Sequence, residues 1–432
     1  MSKQIVFLIF MALSLGLFTF TVFRLISFFK LTKTAFPIDR ISERLGILAL
    51  VAFGQSKILR RPMIGLMHAL VYWGFLVITV GSMEMIIDGL TGKERVLSFM
   101  GPVYSFITTS GDLFAAFIIF ACFAFLIRRH VMRVKRFSGV EMTAKSSADA
   151  TMALSMIIIL MVSLIGMNAG YLAVYGPDAA GYYPVAKYLA PMIAPENAHF
   201  VHEANWWIHI ATIFVFMNIL PYSKHFHIFM SMPNVFLTNL KPMTQLANME
   251  SVTREVKLMM DPNTAFAPPA EDVPPPERFG VKDVEDVTWK NYTDALTCTE
   301  CGRCTSVCPA NITGKLLSPR KIMIDVRKRM SVKGPGLAKD SNYTDEKSLV
   351  GDYISTEELW ACTTCNACVQ ECPVNIDHVS LIVDMRRNLV MEESNAPAEL
   401  VQMFANIENN GSPWQFSPDD RMNWADGIIA KQ

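Results

Sequence analysis

Five runs of roughly 20 or more apolar residues, at about 4–29, 63–87, 103–127, 151–175 and 204–230, limit what this chain can fold into. A run of that length crosses the hydrocarbon core of a bilayer as a helix. Lipid offers backbone N–H and C=O groups no partner, so such segments cannot be loops or isolated strands. The first run is not read as a signal peptide: it is too long, its start carries only Lys3, and no small-x-small site follows. Apolar residues make up 51% of the 432, but the long runs fall within 1–235, and 240–432 reads as soluble sequence. With 39 basic and 39 acidic residues the net charge is zero, which gives no sign of a nucleic-acid partner.

The connector after the first run carries Lys30, Lys33, Arg40, Arg44, Lys57, Arg60 and Arg61; the one after the third carries Arg128, Arg129, Arg133, Lys135 and Arg136. The second and fourth connectors are poor in Lys and Arg. The positive-inside rule then predicts a multi-pass protein of the cytoplasmic (inner) membrane, N-terminus outside, with everything after the fifth span in the cytoplasm.

Eight of the nine cysteines form two copies of one pattern, Cys298-x2-Cys301-x2-Cys304-x3-Cys308-Pro309 and Cys362-x2-Cys365-x2-Cys368-x3-Cys372-Pro373. This spacing binds [4Fe–4S] clusters in bacterial-type ferredoxins, where the fourth cysteine of each run serves the other cluster. It assigns Cys298, Cys301, Cys304 and Cys372 to cluster 1, and Cys362, Cys365, Cys368 and Cys308 to cluster 2. Zinc competes for Cys-x2-Cys, but zinc ribbons use two separated pairs rather than a triplet followed by Cys-Pro. Cys122, inside an apolar run, reads as a small buried or lipid-facing side chain. Thiolates that must stay reduced suit the cytoplasm, in agreement with the charge pattern.

An ionisable residue inside a membrane span is costly and points to function, although an interhelical hydrogen bond is the plainer alternative. His68 lies in the second run; His209, His225 and His227 lie in or at the end of the fifth. On one continuous helix, His209 and His227 would share a face about 27 Å apart. His68, seven residues beyond Arg61, and His227 fall in the same half of the bilayer and are assigned to an inner haem b. His209 is the candidate for an outer haem. His225, beside Lys224, reads as an interfacial hydrogen-bonding residue. Glu84 and Asp88, at the far end of span two, read as solvated acids, with a quinone pocket as the sharper alternative.

The segments RRPMIGLMHALVYWGF and WWIHIATIFVFMNILPYSKHFHIFMSMP resemble the membrane cytochrome b subunit of heterodisulfide reductases, which belongs with the five-helix gamma subunit of respiratory nitrate reductase. The resemblance covers about 1–235 and is most specific at Pro221-Tyr222-Ser223-Lys224-x-x-His227. It implies two haems of unlike spin state and quinone as the diffusible substrate. In the nitrate reductase protein, span two holds a further histidine ten positions after the first, where this chain has Ile78. An outer haem on His209 would therefore be five-coordinate, use another ligand such as His202, or be absent. The C-terminal half, most clearly EELWACTTCNACVQECPVNID, resembles the small iron–sulfur subunit of heterodisulfide reductase, with its α-helical ferredoxin fold.

The expected fold is all-α. A five-transmembrane-helix cytochrome b-type bundle occupies 1–235, a surface helix (242–260) and Pro-rich linker fall within 236–283, and a two-cluster α-helical ferredoxin domain occupies 284–432. Ser318 followed by Pro319 starts a helix through Met330, Thr356–Glu358 begins another, and Asp377 caps a helix over 378–391. Residues 331–352 read as an exposed loop, His378 as a surface residue, and Arg320, Lys321, Arg327, Lys328 and Arg329 as a solvated basic face. These parts describe an electron-transfer subunit between a cytoplasmic redox partner and the quinone pool; the alternative is a non-enzymatic membrane anchor or redox sensor. No Gly-rich dinucleotide motif is present. The chain also lacks the Cys-Cys pair of CCG-type catalytic subunits, so the resemblance implies a separate cytoplasmic catalytic subunit, of CCG type or a flavoprotein.

Overall fold

The computed structural model describes residues 3–243, 245–261 and 278–429. The membrane domain has five long helices: α1 (Lys3–Ser27), α2 (Pro62–Thr91), α3 (Pro102–His130), α4 (Ala144–Tyr175) and α5 (Pro195–Ile219). Each is long and apolar enough to span a bilayer. Proline at the first turn of α2, α3 and α5 starts them where a missing N–H costs nothing, and the Thr143 hydroxyl caps α4. The tightest pairing is α4 with α5. A Cβ at Gly170 would lie 2.6 Å from the backbone N of His202, and one at Gly166 would lie 2.6 Å from Asn205 Oδ1. This G-x-x-x-G stripe lets the two backbones approach as small residues do in membrane helices.

The fifth span differs from expectation. It ends at Ile219; Leu220–Tyr222 and Lys224–Phe226 form two tight 3₁₀ turns, and a separate helix α6 runs over His227–Phe236. Pro221 supplies the stop, and Ser223, extended at ψ 155°, restarts the chain by accepting from the His225 N–H at 3.0 Å. His209 and His227 are thus on different helices, and the single-helix spacing of about 27 Å does not apply.

Beyond the membrane domain, α7 covers Glu250–Met260, shorter at its start than the 242–260 expected. The prolines of the expected linker lie outside the described residues. The C-terminal domain is built on α8 (Trp289–Thr297), α9 (Pro319–Leu337) and α10 (His378–Met391), with no named strand among the described residues. Ser318 and Asp377 cap α9 and α10 as the sequence suggests. Helix α9 continues seven residues past Met330 into the segment expected as loop. There the buried Lys333 bonds Asp283 at 2.8 Å.

The two domains share one apolar core. Phe28, from the end of the first span, and Phe226 pack with Val284, Tyr292, Ile322, Val326 and Met330. Lys33 bonds Val287 O through its N–H, and its own carbonyl accepts from the Trp289 N–H, both at 2.9 Å. The cysteine domain therefore packs against one end of the helix bundle.

Candidate metal centres

Both cysteine runs fold alike locally. Glu300 and Thr364, just before the second cysteine of each run, have φ of 56° and 55°; Gly302 and Asn366, just after it, have φ of 71° and 59°. Such left-handed residues favour Gly and Asn, and they curl each run so that successive sulfurs face one point. Short helical turns, Arg303–Ser306 and Ala367–Glu371, then place Cys304 and Cys368.

The two runs are brought together, with the fourth cysteine of each beside the other run. Cys298, Cys301, Cys304 and Cys372 line one cavity of about 300 Å³. The charges of Cys308 and Cys365 act on Cys362, and those of Cys362, Cys308 and Cys365 act on Cys368, so these four form the second group. Cys304 and Cys368 meet in one packed cluster with Val379, so the two centres are neighbours. Burial, with repulsion from neighbouring sulfurs, pushes Cys298 up to about 11 and Cys372 up to about 12. Thiolates so disfavoured become stable only beside a cation.

The sulfurs stand further apart than a single zinc would hold them. One zinc at 2.3 Å from each sulfur would hold the sulfurs roughly 3.8 Å apart. Among the described residues no three of these cysteines bring their sulfurs within 4.8 Å of one another; the one group that does so joins Glu94, His202 and Glu203. Two N–H groups already aim at sulfur, Ile376 N to Cys372 Sγ and Thr364 N to Cys362 Sγ, each 3.4 Å. His378, expected at the surface, is 1% exposed, lines the cluster 1 cavity, and keeps a buried Nδ1 without a partner among the described residues.

The histidines share one arrangement. The Nδ1 of His227 faces Lys224 O at 3.1 Å, that of His209 faces Leu160 O at 2.8 Å and Ser163 Oγ at 3.1 Å, and that of His202 faces Met167 O at 2.9 Å. A carbonyl on Nδ1 fixes the proton there and turns Nε2 into the free lone pair, as metal-ligating histidines require. The His227 ring lies beside the rings of His225 and His68. His68 and His227 are therefore electrostatic neighbours, and no hydrogen bond engages the His68 ring among the described residues. One turn further on, Tyr72 has a buried hydroxyl with no partner. These donors fit a metal-ligating histidine pair. His209 is 1% exposed, and Ile78 is packed into the apolar core, so span two offers His209 no facing imidazole. His202 sits two turns from His209 on α5, with Nε2 3.9 Å from Glu94. His225 bonds Ser223 and pairs with Asp149 at 3.6 Å. Glu84 is buried and Asp88 half-buried; they accept the backbone N–H groups of Arg95, Val96 and Leu97 and so hold the turn after α2.

The cluster 1 loop touches both histidine elements. Glu300 is 3.3 Å from Lys224 Nζ, and the Lys224 carbonyl is the partner of His227. Arg303 donates to Lys57 O at 2.9 Å and Ile58 O at 3.3 Å, just before α2, and its charge reaches His68. Lys57 returns a bond to Cys372 O at 3.2 Å, and Arg61 pairs with Glu371 at 2.9 Å. Sequence reading missed these contacts. The basic residues of α9, expected on a solvated face, are mostly paired: Arg320 with Glu141, Arg329 with Asp283 and Asp345, Arg327 with Glu300, and Lys321 with Asp325 and Glu358.

Comparison with known proteins agrees with this architecture. The family model for the 4Fe-4S dicluster domain matches residues 297–376. The chain is 28% identical to the "Probable iron-sulfur-binding oxidoreductase FadF" of Bacillus subtilis, over 98% of this chain and 61% of that one. It is 27% identical to the "EtfAB:quinone oxidoreductase" of Syntrophomonas wolfei, over 90% and 54%. A CoB–CoM heterodisulfide reductase iron–sulfur subunit of Methanopyrus kandleri is 32% identical over 22% of this chain and 39% of its own. The chain thus spans little more than half the length of its two long relatives. No solved structure matches. A five-helix membrane domain resembling the heterodisulfide reductase membrane subunit is joined here to a 4Fe-4S dicluster domain resembling its small subunit.

Proposed function

We propose that the chain carries electrons between a cytoplasmic redox partner and the quinone pool, using two [4Fe–4S] clusters and at least one b-type haem. The observation that carries this reading is the double contact of the cluster 1 loop, through Glu300 to the element of His227 and through Arg303 to the element of His68. When bound, clusters and haem each supply a one-electron couple; their chemistry is their own, and the chain supplies ligands, charge and burial. Cys298, Cys301, Cys304 and Cys372 would hold the cluster nearer the membrane, Cys362, Cys365, Cys368 and Cys308 the one further out, and His68 with His227 the inner haem. Cys365 is exposed, which supports an entry point for the partner at the outer cluster. His209 would hold an outer haem only without an opposing histidine from span two.

The basic connectors, which lie on the cysteine-domain side, support a cytoplasmic location for that domain and an external N-terminus in the inner membrane. A separate catalytic subunit, with CCG-type cysteines or a flavin, would supply the substrate site. The name of the Syntrophomonas relative, EtfAB:quinone oxidoreductase, supports the quinone end of the path.

The test is the haem b and non-haem iron content of the purified chain, with the His68→Leu variant beside it. About eight non-haem irons and one or two haems per chain are expected, with the variant losing the inner haem spectrum and quinone reduction. A full iron complement with no haem, or quinone reduction that survives His68→Leu, defeats the quinone mechanism and leaves the anchor or sensor.

A further inference from the structure

Arg136 is an unusual arginine for an interface. It lies in the turn after α3, and its Nε and Nη1 are buried without a hydrogen-bond partner among the described residues. Its carbonyl accepts from Arg320 at 2.7 Å and presses on the cluster 1 run, 2.6 Å from where a Cβ on Gly302 would stand. The leading anionic group acting on its guanidinium is the Cys301 sulfur; the other charges around it are Arg61, Arg303 and Arg128. Arg303, 6% exposed, spends its donors on two carbonyls, and Cys301 and Cys372 are among the anions it feels. Half-buried, with the Phe137 ring 5.1 Å from its guanidinium and only cations among the other charges, Arg136 is best matched by an anion at the cysteines. The second centre is unlike this: Arg386, bonded to Leu359 O and stacked on Trp360, is the cation acting on Cys362.

Resting on the ligand sets given under Proposed function, we propose that Arg136 and Arg303 form a cationic collar that sets cluster 1 at a higher reduction potential than cluster 2, and so directs electrons from the cytoplasmic partner into the membrane. Reduction adds one negative charge to a cluster, and fixed positive charge stabilises the more negative state. Solvent at the exposed Cys365 works the other way by favouring reduction of cluster 2. The proposal is that the collar outweighs it. In that direction a reduced cytoplasmic partner gives up two electrons, one at a time, and a quinone takes them up with two protons to become quinol.

The experiment is a redox titration of the full-length, detergent-solubilised chain, followed by electron paramagnetic resonance, with iron measured on each sample. Cys372→Ser and Cys308→Ser assign the two waves to the two centres. In the wild type, the wave lost in Cys372→Ser is expected to have the higher midpoint. Arg136→Gln, which breaks no side-chain hydrogen bond, should lower that midpoint alone. The expected size is about a tenfold fall in the reduced-to-oxidised ratio at the wild-type midpoint, equivalent to about 59 mV for one electron. Arg136→Lys should restore most of it. The reverse order of wild-type midpoints, or intact iron with no shift in Arg136→Gln, overturns the collar. Were Arg136→Gln to lose iron, Arg303→Gln and the wild-type order would still decide. Fewer than about eight irons in the wild type, or serine variants that do not remove separate waves, would instead mean that the ligand sets are wrong.

Discussion

The Lys224–Glu300 pair offers the most direct test of how the cysteine domain is fixed to the membrane helices. Both side chains are buried, at 5% and 8% exposure, and 3.3 Å apart. Lys224 Nζ also bonds Ser146 O at 2.6 Å, and Glu300 also meets Arg327 and the Ser146 hydroxyl. Removing one partner of a buried pair costs about 3–5 kcal/mol, because the other charge stays uncompensated. Lys224→Met does not leave Glu300 wholly alone, since Arg327 remains and is 22% exposed. The loss should therefore be nearer 2–3 kcal/mol, or roughly 30–150-fold in the equilibrium that holds the interface closed. Glu300→Gln should cost a similar amount, because Lys224 then keeps only neutral acceptors. The assay is urea unfolding of the detergent-solubilised chain, read by visible absorbance at the cysteine sites, for both single variants and the double. If the pair acts as a unit, the double variant is less destabilised than the sum by about 1–3 kcal/mol. Additivity within about 0.5 kcal/mol would refute the coupling and leave the shared apolar core as the main attachment.

Three further outcomes follow from the geometry. Gly170→Ala puts a methyl within 2.6 Å of the His202 backbone, so α4 and α5 must separate; a loss of about 1–3 kcal/mol is expected, read as a lower melting temperature in detergent. Arg329, on either side of which lie Asp283 and Asp345, holds Asp345 down at about 2. Because the folded carboxyl is more acidic than the unfolded one at 3.8, its stabilisation is complete above about pH 4 and fades towards pH 2. Asp345→Asn should flatten that part of the acid-unfolding curve followed by circular dichroism, and an unchanged slope would rule out the contribution. Cys308→Ser should remove the centre of the second run and spare the first, although Cys308 belongs to the first run in sequence; electron paramagnetic resonance of the reduced chain distinguishes the two.

Much of the site could be read from sequence because its information is local. Sulfur spacing, the left-handed positions at Gly302 and Asn366, and the caps at Ser318 and Asp377 all act within a few residues. The misreadings share the opposite property. Arg320 and Arg329 looked like a solvated stripe because their partners Glu141 and Asp283 lie 179 and 46 residues away. His378 looked peripheral because the cavity it lines is made mostly by the other cysteine run. A charged residue with a distant partner looks like a surface residue in any local window.

The break after α5 is the exception, since its signal was local and still outweighed. Pro221 and Ser223 are a stop and a cap within three residues, but the apolar run on both sides suggested one uninterrupted helix. The break has a structural consequence that a straight helix could not provide. Lys224 can face Glu300 while its own carbonyl faces His227, only because the chain turns between Leu220 and Phe226. Continued as helix, Lys224 and His227 would share one face at i and i+3, and the Lys224 carbonyl would bond the residue four places on rather than the ring. Removing Pro221 should therefore favour that straight form. Pro221→Ala is expected to weaken the haem b spectrum proposed for His68 and His227 while leaving the non-haem iron content intact. An unaltered haem spectrum would mean that tertiary contacts alone maintain the turn, and that Pro221 only marks it.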